Sequence, residues 1–182
     1  GNYSEALSIM ESIKVLLTGS KWEPKAMFLK AQILGRLNGK KALEEQLAII
    51  IKDYPNSKIA VKAKTDLENI NKSFKEQTKT LAQFKWVFPY KKDSKFDPNQ
   101  LIDSLNININ QLQTKNWRIT NDIYNSDYQF IVIHGIKSKL EIDSIKQKLP
   151  QTTLKLLDSN NFVTLSAQFR KIFIEKSWPR VN

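Results

Sequence analysis

The spacing of apolar residues changes once along this chain of 182 residues, close to residue 81. Before that point apolar residues recur every three or four positions, which is the period of an amphipathic helix. After it, helical segments are interrupted by short alternating segments, whose period is that of β-strands. The change predicts two domains, an all-helical domain over 1–80 and an α+β domain over 81–182.

The first domain is predicted to consist of tetratricopeptide-like helical hairpins. In "EPKAMFLKAQILGRL", Ala26, Leu29, Ile33 and Leu37 form one apolar stripe. The Ala-Leu pair of "GNYSEAL" recurs in "GKKAL" at nearly the period of about 34 residues that such repeats have. "GNYSEAL" is similar to the turn between the two helices of one repeat, so we expect the first helix of that repeat upstream of this chain. Pro24 and Ser57 are predicted to mark the starts of two of these helices. A plain helical bundle is the alternative.

The second domain is predicted to alternate strands and helices in the order β-α-β-β-α-β, with one further helix at the end. "FKWVFPY" is the first strand and "YQFIVIHGI" the third, while "TTLKLLDS" either leads into the fourth strand or forms a separate short segment. This order is that of the ferredoxin-like fold, in which the first and third strands occupy the middle of an antiparallel sheet.

Asp97 and Ser166 are the predicted caps of the first and the last helix of this domain. The predicted inward residues are Leu101, Leu105, Ile109 and Leu112 in the first helix and Leu140, Ile145 and Leu149 in the second.

Alternate residues of "FKWVFPY" place four aromatic side chains on one face of the first strand. They are Phe84, Trp86, Phe88 and Tyr90. We expect this aromatic row to be core, covered by the final helix with Phe169, Ile172 and Phe173. A second prediction is a surface for a protein partner or a glycan, to which Trp86 contributes only if the final helix leaves it exposed. That surface comprises Trp86, Tyr90, Lys91, Lys92, Tyr128 and Phe130.

The residue types that carry catalysis are scarce, and we predict that the chain is not an enzyme and takes no cofactor or metal. There is no Cys, and the single His, His134, is expected to be an ordinary packed or surface residue. Neither a nucleophile motif nor a metal-ligand cluster nor a Gly-rich phosphate loop is visible in the sequence.

A formal net charge of +11 raises nucleic acid as a partner. The charge is spread evenly, however, and Lys greatly outnumbers Arg, the residue that recognises phosphates with a planar fork of donors. The third strand, "DYQFIVIH", also lacks the basic-glycine start of the RNA-recognition octamer. We therefore predict no nucleic-acid partner, and an RNA-binding domain is the least favoured of the alternative functions.

The topology, and the hairpin leading into "IVIHGI", resemble the sporulation-related (SPOR) domains that bind cell-wall glycans. This resemblance implies that the open face of the sheet could bind peptidoglycan. Its aromatic candidates are Phe84, Trp86, Tyr128 and Phe130.

The chain as a whole resembles the C-terminal part of the tetratricopeptide lipoproteins of the Bacteroidetes type IX secretion and gliding machinery (the PorW/SprE type). The similar segments are "DYPNSKIAVKAK", "FKWVFPY", "FDPNQLIDSLNININQL" and "NNFVTLSAQFRKIFIEKSW". Gln168 stands where the family has Asn, and Pro179 ends the last helix early. The resemblance implies a periplasmic adaptor that contacts proteins of an envelope secretion complex. It also implies attachment to the outer membrane through a lipid anchor upstream of this chain.

Overall fold

The computed structural model describes residues 2–76, 83–111, 117–157 and 161–178. The fold is α+β, as predicted. The chain divides into a helical unit, made of residues 1–79 and 171–182, and a sheet unit, made of residues 80–170. The predicted boundary between residues 80 and 81 lies outside the described residues, and so does the predicted helix end at Pro179.

Where the structure describes the helical unit, five helices make up most of it. They are α1 (Tyr3–Ser12), α2 (Lys14–Leu17), α3 (Glu23–Asn38), α4 (Lys40–Asp53) and α5 (Lys58–Glu76). Pro24 stands in the first turn of α3, where its missing N–H costs nothing. Ser57 caps α5, because its Oγ accepts a hydrogen bond from the N–H of Ala60 at 3.0 Å. Both features were predicted.

Successive helices of this unit cross at small residues. Ala31 and Ala63 are fully buried in a core with Phe28, Leu47 and Ile50. At Gly35 on α3, a Cβ would lie 2.9 Å from the Cβ of Leu43 on α4, so only glycine permits this approach without a shift of either helix. The absence of a side chain at Gly35 thus lets α3 and α4, which are joined at Gly39, pack closely against each other.

The described residues of the sheet unit form four strands and three helices and also the start of the last helix. In chain order these elements are β1 (Phe84–Lys91), α6 (Pro98–Gln111), β2 (Arg118–Ile123), β3 (Tyr128–Ile136), α7 (Lys139–Lys146), α8 (Gln151–Leu157), β4 (Phe162–Leu165) and α9 (Ser166–Glu175). Segment 152–159, for which two interpretations were open, contributes to the separate helix α8, and its last two residues lie outside the described part of the chain.

The four strands form one antiparallel sheet with the order β2-β3-β1-β4. The prediction that the first and third strands are central is confirmed. Asp97 caps α6 as predicted, with its Oδ1 2.9 Å from the backbone nitrogen of Asn99. Ser166 was predicted to cap α9, but it is the first residue of that helix and its hydroxyl donates to the carbonyl of Gln83 instead.

One sheet face is covered by α6, α7 and α8. Its core is built from the aromatic row and from three isoleucines of β3, where a register shift in the pairing with β1 between Phe84 and Trp86 separates Ile133 from Ile136 by three positions. The buried members are Trp86, Phe88, Leu101, Leu105, Ile109, Ile131, Ile133, Ile136, Ile142, Ile145 and Leu149. Leu140, predicted to point inward from α7, is exposed, and Ile142 takes the inward position. Leu112, which continued the predicted stripe of α6, lies outside the described residues.

The aromatic row is therefore core, but α9 does not cover it as predicted. Phe169 of α9 lies beside Phe130, with ring centroids 6.5 Å apart, and the Lys85 ammonium lies 5.4 Å from the Phe169 ring. Lys85 and Phe130 belong to the face opposite Trp86, because β-strand side chains alternate. The start of α9 thus packs on the second face.

Candidate functional site

A cleft with a volume of about 450 Å³ opens in the helical unit among residues of α1, α2, α3 and α5. Most of its lining side chains are apolar, and three are polar. The apolar ones are Met10, Ile13, Leu17, Trp22, Ala26, Phe28, Leu29 and Ile59, and the polar ones are Lys25, Gln32 and Lys62. A space of this size can bury several side chains of a ligand.

Helix α3 contributes the largest share of the cleft. Lys25, Leu29 and Gln32 are separated by four and three positions, which places them on one side of the helix. Leu29 was predicted to lie in the buried stripe with Ile33 and Leu37, but it is 49% exposed. The prediction fails for Leu29 because it lies at the margin of the stripe, and the neighbouring helices cover only part of it.

Lysine ammonium groups lie close to two aromatic rings of the cleft. The Nζ atoms of Lys21 and Lys25 lie 5.3 and 5.8 Å from the centroid of Trp22, and Lys62 Nζ lies 4.9 Å from that of Phe28. Trp22 is itself 55% exposed. The cations are thus held at the cleft by aromatic faces, an attraction that leaves their outward hydrogen-bond donors available.

Two carboxylates near the cleft in sequence are engaged elsewhere. Glu11 forms an ion pair with Lys30, whose hydrogen bond and charge lower the pKa of the Glu11 carboxyl. Glu23 accepts a hydrogen bond from the N–H of Gly19 at 2.8 Å. Burial, and then a hydrogen bond with Glu23, raise the pKa of Tyr54. Within the described ranges, no side chain with a carboxylate lines the cleft.

A second feature is a row of polar side chains on the sheet face that carries Phe130. Lys85 Nζ lies 2.5 Å from Nδ1 of His134, and Nε2 of His134 lies 2.7 Å from Oγ1 of Thr120. Thr120 in turn hydrogen-bonds the carboxylate of Asp122. We call these four residues the polar row, which runs across β1, β3 and β2.

The polar row is half-buried, and burial dominates its electrostatics. Burial lowers the pKa of His134 to about 4, with further lowering by the charges of Lys85 and Arg118. Burial also lowers the pKa of Lys85, and the charge of Asp122 partly offsets this lowering. Burial raises the pKa of Asp122 against the opposing effect of the Thr120 hydrogen bond. The row is thus a partly desolvated ion pair bridged by two neutral groups.

Two of the six residues of the predicted partner or glycan surface are fully buried. Trp86 lies in the core beneath the helices and donates from Nε1 to Oδ1 of Asn161 at 2.9 Å. Phe130 lies on the opposite face and stacks on Tyr124, with centroids 4.3 Å apart. Neither side chain can contact a partner in this conformation, because the packing that completes the sheet covers both.

The other four residues gather at one end of the β1–β3 pair. Lys91 pairs with Tyr128 in the strand register, and the N–H of Lys92 donates to the carbonyl of Asp127 at 2.8 Å. Tyr90 is half-buried, and its hydroxyl lies 2.6 Å from Oε1 of Gln129. Tyr90 and Tyr128 point to opposite faces, so these residues form one end of the sheet, with basic side chains, and do not form an aromatic platform.

Sequence reasoning missed the cleft and the polar row. Helical periodicity assigns Leu29 to the core and gives no sign that Trp22 is exposed. The polar row could have been found, because alternation places Lys85 and His134 on the same sheet face once their two strands are taken as neighbours. His134 was instead judged as an isolated residue.

Comparison with known proteins adds no assignment to these features. In the part of the chain that the structure describes, no helix is long and apolar enough to cross a bilayer. Within the same ranges, no group of three or more His, Cys, Asp or Glu side chains could hold a metal ion. No protein-family model, curated protein or solved structure matches this chain.

Proposed function

We propose that this chain is a non-enzymatic adaptor that binds a helical segment of another protein in the cleft of the helical unit. The observation that carries the proposal is an apolar cleft whose border includes large apolar side chains that are exposed to solvent. Trp22 is 55% exposed and Leu29 49%. Val15 and Leu16 of α2, which follow the cleft residue Ile13, are more exposed still, at 85% and 80%. Clustered exposure of this kind on a folded surface commonly marks a protein-binding site.

A helix is the occupant that best suits a cleft walled by helices. An amphipathic helix places apolar residues at positions i, i+3, i+4 and i+7 on one face, and such a face fits an apolar groove. The binding energy would then come from burying Trp22 and Leu29 against the guest, since aromatic and large apolar side chains contribute most at interfaces.

The two units support a finer structural proposal. The helical unit is tetratricopeptide-like, which is supported by consecutive helices crossing at Gly35 and at buried Ala31 and Ala63. The sheet unit is ferredoxin-like, which is supported by the antiparallel order β2-β3-β1-β4 and by helices packed on one face. The end of the sheet with Tyr90, Lys91 and Lys92 is then a second docking surface.

The cellular setting follows from the resemblance of the sequence. The adaptor would belong to the type IX secretion and gliding machinery, as a periplasmic lipoprotein with its outer-membrane anchor upstream. The support for this setting is the similarity of segments such as "FKWVFPY" and "NNFVTLS". Peptidoglycan is the less favoured partner, because two of its predicted aromatic contacts, Trp86 and Phe130, are buried.

Site-specific photo-crosslinking tests the adaptor function. A photoreactive phenylalanine analogue replaces Leu29 in the cleft or, as the control, Ile49, which is 39% exposed on α4 and does not line the cleft. Cells of the native host are irradiated, and adducts are identified by mass spectrometry. We expect one defined envelope-protein adduct from position 29 and none from position 49. Equal adducts at both positions, or none at either, would contradict the proposal.

A second variant shows whether the captured protein uses the cleft. Leu29→Lys introduces a charge into the apolar wall and should abolish co-purification of the captured protein. Ile49→Lys should leave it unchanged. Retention of the protein by the Leu29→Lys variant would show that binding occurs at another surface.

A further inference from the structure

We infer that the cleft selects an acidic amphipathic helix, whose carboxylates pair with Lys21, Lys25 and Lys62 on either side of its apolar face. The inference rests on the proposed function and names the chemistry of the partner. Its first support is the composition of the walls, where the only charged lining groups in the described residues are Lys25 and Lys62. A third ammonium, that of Lys21, lies over Trp22 beside them.

The positions of these lysines match two flanks of one guest helix. Lys25 belongs to α3 and Lys62 to α5, so the cations come from different walls of the cleft. Apolar side chains, among them Leu29 and Ile59, complete the lining with them. A guest helix with an apolar stripe at its centre and carboxylates along both borders of the stripe would satisfy all of these groups.

Lys21, Lys25 and Lys62 carry charges that have no acidic partner among the described residues. All three lysine side chains are exposed, and in the described part of the chain no ion pair involves any of them. An anionic guest would form ion pairs with these cations, and the pairs would strengthen as the guest excludes water. A cationic guest would be repelled by the same lysines, so the cleft should discriminate by charge as well as by shape.

An anionic bilayer is the competing partner, because lysines beside Val15, Leu16 and Trp22 also resemble a membrane-surface motif. A bilayer surface is broad and cannot enter a cleft of about 450 Å³. Lys62 and Ile59 also line the cleft from a separate helix, and a protein helix can reach both walls at once. The geometry thus favours a helical guest.

The test uses two synthetic amphipathic helices with identical Leu stripes, one flanked by Glu and the other by Lys. Fluorescence anisotropy with the whole chain should show that the Glu peptide binds at least about tenfold more tightly than the Lys peptide, with affinity that falls as salt is added. In the double variant Lys25→Glu and Lys62→Glu the preference should reverse. The control, Lys64→Glu, makes a charge reversal at an exposed position of α5 outside the cleft and should preserve the preference.

The contradictory outcomes separate this inference from the adaptor function. If both peptides bind equally and Leu29→Lys abolishes binding, the cleft binds helices without charge selection, and only the acidic partner is wrong. If neither peptide binds while position 29 still captures a protein, the acidic helix is likewise overturned and the adaptor function stands. If vesicles containing phosphatidylglycerol bind in place of the Glu peptide, the partner is a membrane and the inference fails.

Discussion

Lys85 and His134 lie side by side on the two central strands, with Nζ of Lys85 2.5 Å from Nδ1 of His134. An ammonium group can only donate, so Nδ1 must carry no proton and accept. Nε2 is then the protonated nitrogen and donates to Thr120 Oγ1, whose own hydroxyl donates to Asp122. Every hydrogen bond of the polar row therefore runs in one direction, from the cation of Lys85 to the carboxylate of Asp122.

The first prediction concerns the protonation of His134. Because it is the only histidine of the chain, its imidazole signals can be followed in an NMR titration without assignment. We expect a pKa of about 4, set by burial first and then by the charges of Lys85 and Arg118. Lys85→Met should raise this pKa, while Lys137→Met, at an exposed position just after β3, should leave it unchanged. A wild-type pKa near 6.5 would refute the buried, neutral imidazole.

The second prediction follows for stability. The folded-state pKa of His134 lies below the ordinary value of 6.5, so between pH 6.5 and about 4 the unfolded chain takes up a proton that the folded chain does not. The free energy of unfolding should therefore fall as the pH drops through this window. Because the side chain is half-exposed, solvent screens part of this effect. We therefore expect the free energy of unfolding to fall by about 1–2 kcal/mol, which is less than the full pKa shift of His134 would give.

Urea denaturation of the wild type and of His134→Gln at pH 7 and pH 4 measures this loss. The variant lacks the titrating group, so its free energy of unfolding should fall by about 1–2 kcal/mol less than that of the wild type. The carboxylates titrate in both proteins and cancel in the comparison. An identical fall in both would show that His134 does not contribute.

The third prediction concerns Trp86 as a core residue. Trp86→Ala removes a fully buried indole and its hydrogen bond to Asn161, and should destabilise the protein by about 3–5 kcal/mol. Leu140→Ala is the control, since this side chain is 76% exposed and its loss should change stability by less than about 0.5 kcal/mol. The measurement is the denaturant midpoint. A cost below about 1 kcal/mol for Trp86→Ala would indicate an accessible side chain and would reopen the aromatic-surface hypothesis.

The fourth prediction compares two glycines with positive φ. Gly39 has φ of +91° and ψ of −174°, a backbone conformation that is essentially limited to glycine, and Gly19 has φ of +75°. A Cβ at Gly39 would also lie 2.6 Å from the carbonyl oxygen of Ile174, whereas nothing lies within 4 Å of one at Gly19. We expect Gly39→Ala to cost about 2–4 kcal/mol and Gly19→Ala only about 1 kcal/mol. Equal costs would show that the end of α9 does not pack against the α3–α4 turn.

Local sequence signals determined the elements of this fold well. Apolar spacing located α6 through Leu101, Leu105 and Ile109, all of which are buried, and Asp97 marked its start. Alternation located β1 and β3, and the order of elements predicted that these two strands are central. These predictions succeeded because each depends on the chemistry of neighbouring residues and on the period of one helix or strand.

Tertiary structure decided which faces are covered and which side chains meet. Alternation gave the aromatic row of β1 one face, but only the packing of α6, α7 and α8 placed it in the core, while α9 packed on the other side beside Phe130. Burial of Trp86 and exposure of Leu29 depend on the same kind of packing. The contact of Lys85 with His134 likewise requires the register of two strands far apart in sequence. A sequence period gives the direction of a side chain from its own backbone, whereas its neighbours are set by the burial of apolar surface across the whole chain.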